Sequence, residues 1–216
     1  MEKPIVHIVD DDEPTCVAMR RLITTEGLEA RCYASASEFL EKSAADAPGC
    51  IILDVRLPGL SGLDLQARLA KRDAPLPIIF LTGHAEVPDS VRAILSGAMD
   101  FLVKPVEGKI LLSAVTKALE QNREDRTARA RRQEIVAKYE RLTEREKEVF
   151  EHLVRGQLNK QVAADLHISE RTIKQHRARI YSKLDTDSMA GLVLIAVDLG
   201  IGAAANSNPR GRSKDR

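Results

Sequence analysis

The sequence has no C-x-x-C pair. Its three cysteines, Cys16, Cys32 and Cys50, are odd in number and scattered. That argues against a cysteine metal site or a disulfide framework and for reduced thiols. No apolar run approaches the roughly 18 residues of a membrane-spanning helix, so no membrane partner is expected. The amino terminus opens on a strand pattern and not on a long apolar core, so no secretory leader is read there and the cytoplasm is the expected compartment. There is no Gly-rich phosphate loop, which disfavours a nucleotide site. Net charge is also nearly absent: 33 Lys and Arg stand against 32 Asp and Glu in 216 residues. A chain of this length forms one or two domains with ample core.

The near-neutral total hides two unlike halves. Residues 1–120 carry 13 basic and 18 acidic side chains, a net of −5, and residues 121–216 carry 20 and 14, a net of +6. The basic half is suited to a polyanionic partner.

What is present in front is an alternation of short apolar runs and amphipathic stretches. Ile5-Val6-His7-Ile8-Val9 reads as a strand running into Asp10-Asp11-Asp12, and a helix follows Pro14 as far as Gly27. Glu29 to Tyr33 is a second strand. Ser35 and Glu38 have capping-box spacing before a short helix. Cys50-Ile51-Ile52-Leu53 runs without a break into Asp54, the pattern of a strand buried on both faces. Pro58-Gly59 then turns the chain, and a helix over 62–71 offers Leu63, Leu65 and Leu69 inward. Ile78 to Thr82, a helix over 88–96, Phe101 to Val103 and a helix beginning near Glu107 complete the series. Strands alternating with helices mean right-handed crossovers and a parallel sheet covered on both sides. The expected class is α/β, a doubly wound (βα)5 domain with flavodoxin-like strand order 2-1-3-4-5. In that order strands one and three flank the switch point, where ligands bind beyond the strands' carboxyl ends.

Asp10, Asp11 and Asp54 therefore converge on one sheet edge, with Thr82 and Lys104 ending strands four and five nearby. Taken alone, Asp54 reads as a turn former or a helix cap; the convergence gives it chemistry. Clustered carboxylates repel unless a cation sits among them. Hard oxygen ligands suit Mg²⁺ or Mn²⁺. A carboxylate in that setting can attack phosphorus to give an aspartyl phosphate. Lys104 and Thr82 can then neutralise and hydrogen-bond the phosphoryl oxygens. Asp12 reads as a solvated charge at a helix start, His7 as a packed strand histidine and His84 as an exposed loop residue.

Asp10-Asp11, Asp54, Thr82 and Lys104-Pro105 resemble, as a set, the receiver domain of two-component response regulators. The resemblance covers residues 1–122. It implies that Asp54 is the phosphoacceptor from a sensor histidine kinase. It implies Mg²⁺ held by Asp11 and Asp54 side chains, by the Arg56 backbone carbonyl and, through water, by Asp10. Thr82 and Phe101 become the switch pair, and the Lys104-Pro105 peptide is expected to be cis.

Residues 121–141 lack Gly and Pro and are rich in Arg, Glu, Ala and Gln; they read as a solvated helix, with 123–141 as the helical linker. Thr143 and Glu146 have capping-box spacing for a helix that turns Val149, Phe150 and Leu153 inward and stops at Gly156. Asn159 is a candidate cap for a short helix through Leu166, with Val162 and Ala163 inside. Ser169 caps a third helix through Leu184. The last two form a helix-turn-helix. Ile173, His176, Ile180 and Leu184 mark the third helix's buried side. Arg171, Lys174, Gln175 and Ala178 mark another side, flanked by Arg177, Arg179 and Lys183. Long donors around a small Ala178 suit the major groove of double-stranded DNA. Lys174 and Gln175 are candidates for base contacts, and Lys160, Thr172, Arg177 and Arg179 for phosphate contacts.

Leu142-Thr143, Arg145-Glu146, Gly156, Asn159-Lys160, Ala163, Leu166, Ile168-Ser169, Thr172-Ile173-Lys174, His176 and Lys183-Leu184 resemble the LuxR-type DNA-binding domain, here over 142–202. The whole chain is thus similar to the NarL/FixJ family, nearest its FixJ-like branch. The resemblance implies a fourth helix over 188–199 whose Leu192, Val193 and Ile195 pack the domain and aid dimerisation. It also implies homodimers on phosphorylation and RNA polymerase as a further partner. The tail, 203–216, is small, polar and basic and is expected to be disordered. Two other classes share half of these features. An autoinducer-binding LuxR regulator would need an apolar pocket in front, and an aspartyl-intermediate phosphatase would not need the basic helix.

Overall fold

The computed structural model describes residues 3–43, 47–71, 75–83 and 87–201, the side chains of 87–90 excepted. His84 and the tail from 203 lie outside these residues. The chain divides into two compact units, 1–127 and 128–216.

In the first unit five strands, β1 (Ile5–Val9), β2 (Glu29–Tyr33), β3 (Gly49–Leu53), β4 (Ile78–Thr82) and β5 (Asp100–Val103), pair in the order β2-β1-β3-β4-β5. All four pairings are parallel. The expected order is the one found. β1, β3 and β4 are buried along their whole length, because helices cover both faces and leave no polar side to alternate.

Alternation appears instead as a choice of helix partner. Val9, Ile51, Leu53, Ile78 and Phe80 face α2 (Ala36–Lys42), α3 (Gly62–Leu69) and α4 (Val87–Leu95), where they meet Phe39, Leu65, Leu69 and Ala93. Val6, Ile8, Ile52, Ile79 and Leu81 face α1 (Glu13–Thr25) and α5 (Gly108–Glu140), where they meet Cys16, Met19, Ile23, Leu111 and Val115.

The helix starts follow local chemistry. Asp12 caps α1, its side chain accepting from Thr15 N–H. Ser35 caps α2 through Glu38 N–H, while the Glu38 carboxylate reaches Ala34 N–H at 2.8 Å, one residue before the capping-box target. Ile110, on α5, is exposed. His7 is buried and its Nδ1 lies 3.0 Å from Tyr33 Oη. Burial and the Arg31 charge lower its pKa to about 4, so this ring is neutral at pH 7, a packed histidine as expected.

Two buried amides escaped the sequence reading. Asn122 Oδ1, on α5, accepts from Gly49 N–H at 3.1 Å at the start of β3. Gln66 Nε2, on α3, donates to the carbonyls of Ala93 and Ser96 at the end of α4, at 3.0 and 3.2 Å. Each satisfies backbone groups that burial would otherwise leave orphaned.

The second unit is helical. α6 (Glu144–Val154), α7 (Asn159–Asp165), α8 (Glu170–Leu184) and α9 (Met189–Leu199) enclose Val149, Phe150, Leu153, Val162, Ile173, Ile180, Leu184, Leu192 and Ala196. The Thr143–Glu146 capping box forms on both sides. The end of α5 belongs to this unit. The Tyr139 ring stands 5.4 Å from the Phe150 ring, and Lys138 Nζ reaches Asp185 at 3.3 Å.

Three local expectations differ from the structure. Asn159 does not cap α7. Leu158 takes the cap position, its N–H donating to the Gln161 side chain at 2.8 Å, and Asn159 bonds Arg177 instead. His176 is half-buried and not fully inside, and its Nδ1 finds no hydrogen-bond partner among the described residues. Val193 is exposed, because Leu192 and Ala196, four apart, form the buried stripe of α9 and turn Val193, Leu194 and Val197 outward.

Candidate functional site

Backbone pairing carries the two central carboxylates past the formal strand ends. Asp10 N–H donates to Tyr33 O at 3.1 Å and Asp54 N–H to Val9 O at 2.9 Å. Both side chains are thereby fixed beside each other at the carboxyl edge of the sheet, Asp10 being 3% and Asp54 9% exposed.

Each carboxylate is held in the same way. One oxygen accepts from a backbone N–H two residues on: Asp12 N–H to Asp10 at 3.0 Å and Arg56 N–H to Asp54 at 3.0 Å. The other oxygen accepts from Lys104 Nζ, at 2.6 Å for Asp10 and 2.7 Å for Asp54. Asp11, exposed, completes a group of three in which one carboxylate oxygen from each residue lies within 4.8 Å of the others. Three negative groups this close with one ammonium leave an excess of negative charge that a small divalent cation fits. The donor set is all oxygen, as Mg²⁺ or Mn²⁺ requires.

Burial pushes the Asp10 carboxyl up, against the bonds from Lys104 and Asp12 N–H. Burial alone would lower the Lys104 ammonium, but its bonds to Asp10 and Asp54 more than offset that and raise it. Lys104 is therefore a fixed positive charge at neutral pH.

β4 and β5 place the other groups. Thr82 is the last residue of β4 and 1% exposed. Its carbonyl accepts from Lys104 N–H at 2.8 Å, which ties the two strand ends together. Phe101, half-buried on β5, pairs with Phe80, and the two ring centres lie 6.1 Å apart. The Lys104-Pro105 peptide is cis, as expected.

One site residue went unread in the sequence. Gly62 begins α3, and a Cβ there would stand 2.2 Å from the Asp54 carbonyl oxygen. Its N–H donates to Val55 O at 3.0 Å. Only glycine lets α3 start this close behind Asp54. The sequence shows a glycine after a serine, which reads simply as a turn.

In the second unit Ser169 caps α8, accepting from Thr172 N–H at 3.1 Å. Lys160, Arg171, Lys174, Gln175, Ala178 and Arg179 are exposed, and Thr172 is half-buried, its Oγ1 2.8 Å from Ser169 Oγ. Two of the cations read as flanking charges are tied within the domain. Arg177 donates to Asn159 Oδ1 at 2.7 Å and lies over the Tyr181 ring. Lys183 donates to the buried Glu146 carboxylate at 2.6 Å and to Arg141 O at 3.0 Å. Burial would raise Glu146, but Lys183 and Thr143 N–H outweigh it and hold the carboxyl below its ordinary range.

Known proteins share both halves. Residues 6–116 match the response regulator receiver domain, and residues 140–196 match the bacterial regulatory proteins of the luxR family. The chain is 40% identical to the response regulator protein TmoT of Ectopseudomonas mendocina, over 90% of this chain and 88% of that one. It is 42% identical to nodulation protein W of Bradyrhizobium diazoefficiens, over 93% and 88%, and 37% identical to the transcriptional regulatory protein FixJ of Azorhizobium caulinodans, over 94% and 97%. Among solved structures, response regulator StyR matches with a TM-score of 0.81 at 41% identity, over 90% of this chain and 98% of that one. Full-length FixJ from B. japonicum matches with a TM-score of 0.56 at 34% identity, over 93% and 98%. No described helix is long and apolar enough to cross a membrane. With a receiver carrying an acidic cluster in front and a LuxR-type helix-turn-helix behind, the chain belongs to the NarL/FixJ family of two-component response regulators, transcription regulators that bind DNA.

Proposed function

We propose that Asp54 takes a phosphoryl group from a sensor histidine kinase in the cytoplasm, and that this modification controls DNA binding by the second unit. The observation that carries the reading is the pair of carboxylates, Asp10 and Asp54, clamped by Lys104 at 2.6 and 2.7 Å. A carboxylate oxygen of Asp54 attacks the phosphohistidine phosphorus. The N–P bond breaks, an O–P bond forms and the departing imidazole takes up a proton. Lys104 shifts its ammonium toward the phosphoryl oxygens, and the Thr82 hydroxyl donates to one of them. A Mg²⁺ or Mn²⁺ held by Asp11, Asp54, the Arg56 carbonyl and, through water, Asp10 would neutralise phosphoryl charge. The protein is no enzyme for an outside substrate; its receiver catalyses only its own phosphorylation and dephosphorylation.

Thr82 moving toward phosphate draws Phe101 inward and alters the face of α4 and β5. That face already exposes Val91, Ile94 and Leu95, the last at 82%. An apolar patch of this kind favours association with a second copy. On α9 the outward Val193, Leu194 and Val197 support pairing of the DNA-binding domains. Moving such an equilibrium from 1:99 to 99:1 takes about 5.5 kcal/mol of differential affinity. Lys174, Gln175, Arg171 and Ala178 then enter the major groove, while Lys160, Thr172 and Arg179 hold phosphates. Arg177 acts largely by fixing α7 against α8 through Asn159. Bound at a promoter, the dimer presents itself to RNA polymerase.

Selection of duplexes from a random pool, with and without beryllofluoride and Mg²⁺, tests this. A two-fold symmetric site should emerge strongly only in the activated arm. Identical enrichment in both arms would contradict phosphorylation control.

A further inference from the structure

The second half of α4 is held by little apolar surface. Among its described side chains, 91–95, only Ala93 is buried, while Val91, Ile94 and Leu95 stand exposed. One methyl group contributes little, because stabilisation by apolar burial scales with the area removed from water. α1 by contrast buries Cys16, Met19 and Ile23, and α3 buries Leu65 and Leu69. Polar contacts therefore carry more of what fixes this part of α4.

The chain after α4 satisfies some of its own backbone. Gly97 has a φ of +89°, its N–H donates to Ile94 O at 2.9 Å, and Ala98 N–H donates to Ala93 O at 2.9 Å. This is the Schellman arrangement, which closes two of a helix's last carbonyls. The Ser96 carbonyl lies outside that turn. Gln66 Nε2 donates to it at 3.2 Å and to the Ala93 carbonyl at 3.0 Å. One amide nitrogen with two hydrogens can serve both. Gln66 is buried, and a buried donor parted from its acceptors is costly, so this contact holds the end of α4 in place.

α3 gives that donor a firm base. Gly62, four residues before Gln66 and on the same side of α3, packs directly behind Asp54. A Cβ there would stand 2.2 Å from the Asp54 carbonyl oxygen, and the Gly62 N–H donates to Val55 O at 3.0 Å. Four residues of helix rise about 6 Å. One turn of α3 thus runs from the backbone of the candidate phosphoacceptor to the end of α4. A loosely packed element resting on a tightly packed one is suited to taking two positions.

We propose that Gln66 is a positioning residue of the switch: its amide latches the carboxyl end of α4 in the unphosphorylated receiver, and α4 leaves the latch when the receiver pairs. This role rests on phosphorylation control of the α4–β5 face, proposed above, and identifies the contact that opposes it. Ala93 lies in the same stretch of helix as Val91, Ile94 and Leu95, so releasing its carbonyl re-aims the apolar patch. Loss of the latch mimics part of the phosphoryl effect, because it destabilises only the state in which the contact is made.

The test uses the full chain and Gln66→Met, which keeps the side chain's length and volume but has no N–H to donate. Sedimentation measures self-association of both proteins with and without beryllofluoride and Mg²⁺. Without the activator, Gln66→Met should associate at least about tenfold more tightly than the native chain, since each partner lacks one latch. With the activator, the two should agree within about twofold, because the latch is already open. An equal change in both arms would make Gln66 structural only and overturn the proposal. Hydrogen exchange of the Gln66 side-chain amide in the native chain, followed by NMR, gives a readout that needs no variant. It should be at least about tenfold faster with the activator than without. Equal protection in both states, in a chain whose self-association does respond to beryllofluoride, would overturn the latch and leave phosphorylation control standing. Native self-association unmoved by beryllofluoride would overturn phosphorylation control, and the latch with it.

Discussion

Lys104 Nζ lies 2.7 Å from Asp54 Oδ2 and holds the candidate phosphoacceptor to its neighbour Asp10. The lysine thus does two jobs, balancing a buried like-charge pair before phosphorylation and a phosphoryl group afterwards. Lys104→Ala should leave Asp10 and Asp54 facing each other unbalanced. We expect a loss of about 3 kcal/mol in receiver stability without divalent metal, partly restored by Mg²⁺. Labelling by acetyl phosphate should fall at least about tenfold. Thermal unfolding with EDTA and with Mg²⁺ checks the first part, and equal transitions in both would count against the charge argument.

Gly62 is the closest packing constraint on Asp54. Gly62→Ala would set a Cβ 2.2 Å from the Asp54 carbonyl oxygen. We expect a cost of about 3 kcal/mol and weaker labelling at Asp54, because α3 or the β3 end must move. Urea unfolding measures the cost; a loss below about 0.5 kcal/mol would show that the start of α3 yields freely.

Glu146 is 2% exposed and its carboxylate meets Lys183 at 2.6 Å. Its folded pKa lies below the unfolded one. The ionised group therefore adds stability that is fully present above the unfolded carboxylate range. That stability is lost as pH falls through the lower folded value. Glu146→Gln should cost the DNA-binding unit about 2 kcal/mol at pH 7, since the lysine end reaches solvent. The gap between the two proteins should close in acid. A gap that stays constant down to the acid limb would rule out the ion pair as its source.

On α8 the structure separates cations that sequence spacing treats alike. Lys174 and Arg179 are exposed, whereas Arg177 and Lys183 are bound inside the domain. Lys174→Ala should relax base preference at one position, by about 1–3 kcal/mol. Arg179→Ala should weaken all duplexes together and lower the salt slope by about one. Titrations on specific and random duplexes across salt concentrations distinguish them, and equal losses for both variants would refute the division.

The receiver was legible because its signals are local and strong. Short apolar runs gave β1, β3 and β4; carboxylates stand directly after β1 and β3, and Thr82 ends β4. Alternation and handedness call for a doubly wound parallel sheet, and the flavodoxin-like order expected among those it can take, β2-β1-β3-β4-β5, is the one found. Less was legible where one residue type serves two ends. Gly62, Asn122 and Gln66 look like a turn and two surface amides, and only the packed fold shows the backbone groups they meet. Asn159 looked like a helix cap, yet an arginine eighteen residues on claims its side chain. Val193 looked inward because α9 is apolar nearly all round, so periodicity alone could not choose its buried stripe.

The central claim is that Asp54 is the phosphoacceptor. Purified full-length protein and its Asp54→Asn variant, incubated with acetyl phosphate and Mg²⁺ and analysed by intact mass, test it most directly. The account predicts one added phosphoryl group on the native protein and none on the variant. Undiminished labelling of Asp54→Asn would contradict it.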